Sequence, residues 1–290
     1  MKSRVITLLL RLIGWLPLGV ARRCGWLLGE LSWHLNSREA KVTRTNIARC
    51  YPSLSPEEQR RLARDSLREW GCTVFEIPVV LQRSSEWLQR RVLRVHNEAL
   101  LDSALADSRG LICLSPHLGN WEVTGLEMAR RAPMTTMYEP PRDPKLDQWI
   151  RQSRAQTGAQ LVPTNARGVL ALIKALKVGG LVGVLPDQQP DLSGGRFVPF
   201  FGIDTLTMTL VHSLVSRTDA RVLFCFSLRV PGGFEMFVME PEAAIASDDV
   251  EESVAALSRG VERCVAEGPT QYQWEYKRFK KRPEGEERFY

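Results

Sequence analysis

Between Arg38 and Gln82 the apolar residues recur at helical spacing, and the segment Ser55-Pro56-Glu57-Glu58 marks a helix start inside it. Ser55 is placed to cap, Pro56 fits the first helical position, and the two acids complement the positive end of the helix dipole. The helix it opens should carry Leu62, Leu67, Trp70 and Val74 on one face. A further helix is expected over about 97–107. The period then changes. Gly110–Ser115 is a short, continuous apolar run bounded by turn residues, as are Met134–Tyr138 and Gly180–Leu185, and each reads as a buried strand. Helical patterns at 143–157 and 166–177 lie between the last two. Farther on, Arg221–Arg229 and Gly233–Glu240 read as strands joined at Pro231-Gly232-Gly233, a hairpin signal, with a helix at about 249–266 behind them. Strands alternating with helices predict an α/β fold, a mixed sheet flanked by helices.

Before all of this, Val5–Ala21 is apolar except for Thr7 and Arg11, and a second apolar stretch runs from Cys24 to Leu35. Seventeen residues fall short of the ~20 of a comfortable membrane span, and Arg11 and Pro17 interrupt the first stretch. Three readings stay open: an uncleaved anchor or interfacial helix pair, helices buried in a soluble core, and a cleaved signal. The last is disfavoured by Arg11 and by Arg22-Arg23 where cleavage would fall. The working division is therefore residues 1–36 as a membrane-associated helical segment and 37–290 as one domain. Within that domain, 37–107 is read as a helical front and 108–290 as the α/β part.

Charge sharpens the amino-terminal reading. The first fifty residues hold nine Lys or Arg against two Glu, a net +7 in a chain of +6, so the remainder carries −1. Basic residues beside apolar surface suit an anionic membrane face. A near-neutral remainder without a recognised motif argues against a nucleic-acid binder. The six cysteines (Cys24, Cys50, Cys72, Cys113, Cys225 and Cys264) show no paired or metal-ligand spacing and read as reduced, buried thiols. No metal site is expected.

The candidate chemistry lies just past the first predicted strand, in Ser115-Pro116-His117-Leu118-Gly119-Asn120-Trp121-Glu122. Pro116 ends the strand, Gly119 permits a tight turn, and Asn120 can cap a helix starting at Trp121. Glu122 then falls in the first helical turn. Five residues apart across a strand–turn–helix junction, His117 and Glu122 can fold together, the carboxylate fixing one imidazole nitrogen and leaving the other to take a proton from a hydroxyl. As an isolated pattern H-x4-E is weak, and a loop histidine with a dipole-complementing acid explains it as well. His34, His96 and His212 read as structural. A serine hydrolase lacks its G-x-S-x-G elbow.

The chain resembles the bacterial lipid A biosynthesis late acyltransferases, of lauroyl and myristoyl type, within the lysophospholipid acyltransferase superfamily. His117–Glu122 is similar to that family's H-x4-D/E box, and Arg44, Asn46, Tyr51, Pro52 and Leu54 resemble an upstream segment. Tyr138–Arg142 with Arg151 and Arg154 resemble the second block. Leu185–Gln188 and Val198–Gly202 resemble the third, and Trp274 with Arg278 the closing one. Glu139 departs from the pattern, standing where the family commonly has a basic or neutral residue. The resemblance implies His117 as general base with Glu122 completing a dyad. It implies Arg154 near the site, binding a phosphate or polarising a thioester carbonyl, and Asp187 orienting substrate or the surroundings of His117. Gly119 and Asn120 are counted with the substrate-binding turn, and Gly194-Gly195 and Phe197–Gly202 as candidate lining of an acyl channel, a pattern that apolar packing explains equally well. It further implies acyl transfer from acyl carrier protein to a lipid A precursor at the cytoplasmic face of the inner membrane, without metal or organic cofactor. Another membrane lipid as acceptor, and a lipid-binding scaffold with a decayed site, are the alternatives.

Overall fold

The computed structural model describes residues 2–141, 143–155 and 158–290. Arg142 of the second block and Gln156 and Thr157, the last positions of the helix expected over 143–157, lie outside them. In chain order the helices are α1 (Lys2–Gly14), α2 (Leu18–His34), α3 (Arg38–Cys50), α4 (Pro56–Gln82), α5 (Ser85–Gln89), α6 (Glu98–Leu105), α7 (Trp121–Arg131), α8 (Pro144–Ala155), α9 (Ala166–Lys177), α10 (Leu210–Thr218) and α11 (Val250–Glu267). The strands are β1 (Val92–His96), β2 (Leu111–Leu114), β3 (Met134–Met137), β4 (Gln160–Val162), β5 (Leu181–Val184), β6 (Gly195–Phe200), β7 (Ile203–Met208), β8 (Arg221–Val230) and β9 (Gly233–Met239).

Seven strands form one sheet in the order β1-β9-β8-β2-β5-β3-β4, while β6 and β7 pair as a separate antiparallel ribbon. Within the sheet only the β8–β9 hairpin is antiparallel, so β8, β2, β5, β3 and β4 run one way and β9 and β1 the other. The central strands are apolar throughout because the sheet is covered on both faces. Ile112 and Leu114 face one core with Val182, Phe224 and Phe226, and Leu111 and Cys113 face another with Leu181, Leu223 and Cys225. This is the mixed, helix-flanked sheet expected from the pattern. One correction is needed at its edge: the helical front assigned to 37–107 contains β1, which pairs with β9. Its half-exposed Arg94 and His96 hide the strand signal, and β4, three residues long, was missed at the opposite edge.

The capping of α4 follows the sequence: Ser55 and Glu58 form a reciprocal box, with Pro56 in the first turn. This long helix ties the amino-terminal segment to the sheet. Gly25 and Gly29 of α2 lie against the backbone of α4 at Gly71 and Leu67, where any side chain would overlap a carbonyl. Glu76 of α4, fully buried, takes Arg22 of α2 at 2.6 Å and Arg229 of β8 at 2.7 Å. Burial alone would raise the Glu76 carboxyl, but the two guanidinium groups outweigh it and hold it below the usual range. Arg22 also donates to the Val230 and Gly233 carbonyls at the β8–β9 turn. The outer face of α1 and α2 is different in kind. Leu8, Leu12, Trp15, Leu27, Leu31 and Leu35 are all more than half exposed. Among the described residues no helix is long and apolar enough to cross a membrane.

Candidate active site

His117 stands three residues beyond Leu114, the last residue of β2, and Asp187 three residues beyond Val184, the last of β5. Leu114 and Val184 are register partners on adjacent parallel strands, so equal offsets bring the two side chains together at the carboxyl edge of the sheet. That edge is where open α/β sheets place their sites. The Asp187 carboxylate meets His117 Nδ1 at 2.8 Å through Oδ1, and its Oδ2 accepts the His117 backbone N–H at 2.8 Å. Asp187 is almost wholly buried, at 2% exposure. Burial by itself would raise its carboxyl. The interaction with His117, through its ring and its backbone N–H, outweighs that and holds the carboxyl below the usual range. An ionised acceptor at Nδ1 assigns the imidazole proton there and leaves Nε2 with its lone pair.

The expected contact between His117 and Glu122 is therefore corrected: the carboxylate on the imidazole is Asp187. Glu122 holds Arg154 of α8 with both oxygens, at 2.5 Å and 3.2 Å. Burial, which alone would lower the Arg154 guanidinium, is outweighed by Glu122, and the net shift is upward. Arg154 also lies over the Tyr138 ring at 5.3 Å. Glu139, the departure from the family pattern, is exposed and turned to the Thr164 hydroxyl.

The turn between His117 and α7 is built as the residues dictate. Gly119 has φ +61°, and a side chain there would run into the Ser227 carbonyl. Asn120 caps α7 by accepting the Val123 N–H at 3.3 Å, while its amide donates to Glu76 at 3.2 Å. Gly119 and Asn120 thus shape the turn and attach it to the buried Glu76 cluster. The C-terminal segment covers the same turn: Gly119 N–H donates to the Gln271 carbonyl at 2.9 Å, and Gln273 N–H to that of His117 at 3.1 Å. Much of this segment is core. Trp274 and Phe279 are fully buried, and Arg278 donates to the Leu206 carbonyl and the Thr207 hydroxyl at 2.6 and 2.8 Å. Two neighbours of the imidazole were not singled out from the sequence. Gln188 reaches His117 Nε2, and Gln273 in turn reaches Gln188. Only the directness of the Asp187-Gln188 step hinted at the first.

Beside the histidine an apolar cavity of about 630 Å³, its open mouth included, runs between α7, α8 and strands β2, β3 and β5. Trp121, whose ring lies 4.9 Å from the imidazole, joins the two. Glu122 and Arg154 stand on the cavity wall, and Leu126, Met128, Met134 and Val184 supply its hydrocarbon surface. Gly194-Gly195 and Phe197–Gly202, expected as channel lining, do not line it. They lie in and around the β6–β7 ribbon, where Phe200 packs against Tyr272 and Phe279.

A histidine held by a buried carboxylate thus stands at the sheet's carboxyl edge with an apolar cavity alongside. The sequence model described as bacterial lipid A biosynthesis acyltransferase matches residues 4–281, and the chain belongs to that family. It is 28% identical over 278 residues to the lipid A biosynthesis lauroyltransferase of Escherichia coli K12, covering 93% of this chain and 88% of that protein. The palmitoleoyltransferase of the same organism is 25% identical over 281 residues, covering 95% and 90%. The phosphatidylinositol mannoside acyltransferase of Mycobacterium tuberculosis H37Rv is 25% identical over 239 residues, covering 79% and 73%.

Proposed function

We propose that this acyltransferase moves a fatty acyl chain from the thioester of acyl carrier protein to a hydroxyl of a lipid A precursor, with His117 as general base. The observation that carries the reading is the His117–Asp187 pair, which leaves Nε2 as the proton acceptor beside an apolar cavity. The acceptor hydroxyl gives its proton to Nε2 as its oxygen bonds to the thioester carbon. When the C–S bond breaks, His117 returns the proton to the departing thiolate. General-base help of this kind is worth about 10²–10⁴-fold, and a thioester needs no further activation. The acyl chain lies in the cavity, and Glu122 acts by holding Arg154 on its wall.

The amino-terminal helices fit a role at the cytoplasmic face of the inner membrane. Their exposed leucines and tryptophan offer an apolar face, with Arg11 and Arg23 exposed on the same helices. At 13 and 17 residues they span roughly 20 and 26 Å, against an apolar core of about 30 Å. Lying in the interface is the arrangement these lengths favour. The mycobacterial relative favours a second acceptor class, a mannosylated phospholipid. The test is to supply the purified protein with acyl carrier thioester and a tetra-acylated lipid A precursor, and to look for added acyl mass by mass spectrometry. Transfer that survives His117→Ala refutes the base. Transfer to the mannosylated lipid alone moves the acceptor and leaves the chemistry standing.

A further inference from the structure

Gln188 follows Asp187 in the chain and meets the imidazole at its other nitrogen. Its Nε2 lies 3.2 Å from His117 Nε2 and 3.1 Å from Gln273 Oε1. With the His117 proton on Nδ1, the ring nitrogen facing Gln188 is an acceptor, and so is the Gln273 oxygen. A primary amide carries two N–H bonds, and this geometry uses one on each partner. Turning the amide over would set its oxygen against two acceptors. The orientation is therefore fixed by the network.

Nε2 cannot take a proton from a hydroxyl while its lone pair accepts from Gln188. On the reading that His117 is the base, the acceptor hydroxyl must replace the amide at Nε2. Gln273 keeps the displaced amide close, and because Gln273 N–H donates to the His117 carbonyl at 3.1 Å, that tether is fixed to the base itself. The N–H released from Nε2 is then within reach of the thioester carbonyl oxygen, which only the reacting carbon separates from the attacking oxygen. The side-chain donor that the structure sets against Nε2 is this neutral amide, 3.2 Å away. We propose that Gln188 is a further catalytic residue, donating this N–H to the oxyanion of the tetrahedral intermediate. As the hydroxyl oxygen bonds to carbon, its proton passes to His117 Nε2 and the carbonyl π pair moves onto oxygen. Gln188 donates to that oxygen without giving up its proton. When the pair returns, the C–S bond breaks and the thiolate takes the proton from His117.

The inference rests on the proposed base, and one set of assays separates the two. With the full chain, acyl carrier thioester and tetra-acylated lipid A precursor, Gln188→Ala should lower kcat by about 10²–10³-fold, the usual effect of removing one oxyanion donor. KM for either substrate should stay within about threefold. Gln188→Glu is nearly isosteric and removes the donor, so it should lose at least as much. Gln273→Ala removes only the tether and should cost about tenfold. A kcat for Gln188→Ala within threefold of the parent, or a loss confined to KM, overturns the proposal. So does a fall in Tm in both Gln188 variants large enough to account for the lost activity, because that assigns Gln188 to the fold. If transfer dies in His117→Ala and persists in Gln188→Ala, the donor fails and the base stands. Transfer that survives His117→Ala removes both.

Discussion

Two carboxylates flank the same histidine turn and do unlike things. Glu122 is five residues from His117 along the chain and holds a guanidinium; Asp187 is seventy residues away and holds the imidazole. Closeness in sequence put Glu122 on the first turn of α7, where its side chain is directed to α8. Strand register put Asp187 under the ring. A short motif therefore reports which residues share a turn, and the sheet decides which of them share a proton.

The largest expected effect tests that division directly. Asp187→Asn should keep the fold and lower kcat by about 10²–10⁴-fold, because the amide can no longer hold the Nδ1–H tautomer or stabilise the imidazolium. Glu122→Gln should act first on stability, at about 3 kcal/mol, by weakening the charge-assisted bonds that hold Arg154 on a largely buried wall. A Glu122→Gln enzyme with normal Tm and an Asp187-like loss of kcat would reverse the assignment.

A third carboxylate sharpens the contrast. Glu275 is buried, is in no ion pair among the described residues, and burial pushes its carboxyl up to about 7. The native state then holds a proton that the unfolded chain has released, from the ordinary range near 4.5 up to about 7. Its cost to stability grows as pH rises through that window and is complete above it. Glu275→Gln should therefore raise stability by about 3 kcal/mol at pH 8 and change nothing at pH 4, as read from denaturant melts. Asp187 and Glu76 run the other way, since their lowered carboxyls stabilise at neutral pH and lose that contribution as pH falls. The smallest effect belongs to the cavity wall. Gly125 lines the cavity with open space around its Cβ position. Gly125→Leu should shift donor preference to shorter chains, about fourfold per methylene denied burial at ~0.8 kcal/mol each. Competition between acyl carrier thioesters of different length measures it.

Much of the fold was legible because the central strands are covered on both faces and so appear as continuous apolar runs. The edges were not, since β1 carries Arg94 and His96 and β4 has only three residues. His117, the Asn120 cap and the Gly119 turn could be read locally. Asp187 could be placed near the site only through the resemblance, although Ser115-Pro116-His117 and Leu185-Pro186-Asp187 carry the same offset from their strands. Converting that offset into a contact requires knowing that β2 and β5 are neighbours in register. Arg278 was harder still, because the Leu206 carbonyl and Thr207 hydroxyl that receive it leave no mark in the pattern around it.

The buried Glu76 cluster sets a practical limit on how the protein can be cut. A shortened version starting after residue 36 would discard Arg22, exposing the Val230 and Gly233 carbonyls and leaving Glu76, which supports Asn120 in the histidine turn, with one cation fewer. It would also strip α2 from Gly71, opening a strip of α4 shaped to fit only another backbone. A more tractable soluble form keeps both helices and repaints their outer surface, replacing Leu12, Leu27 and Leu31 with polar residues. Truncation cuts through the fold; resurfacing leaves it whole.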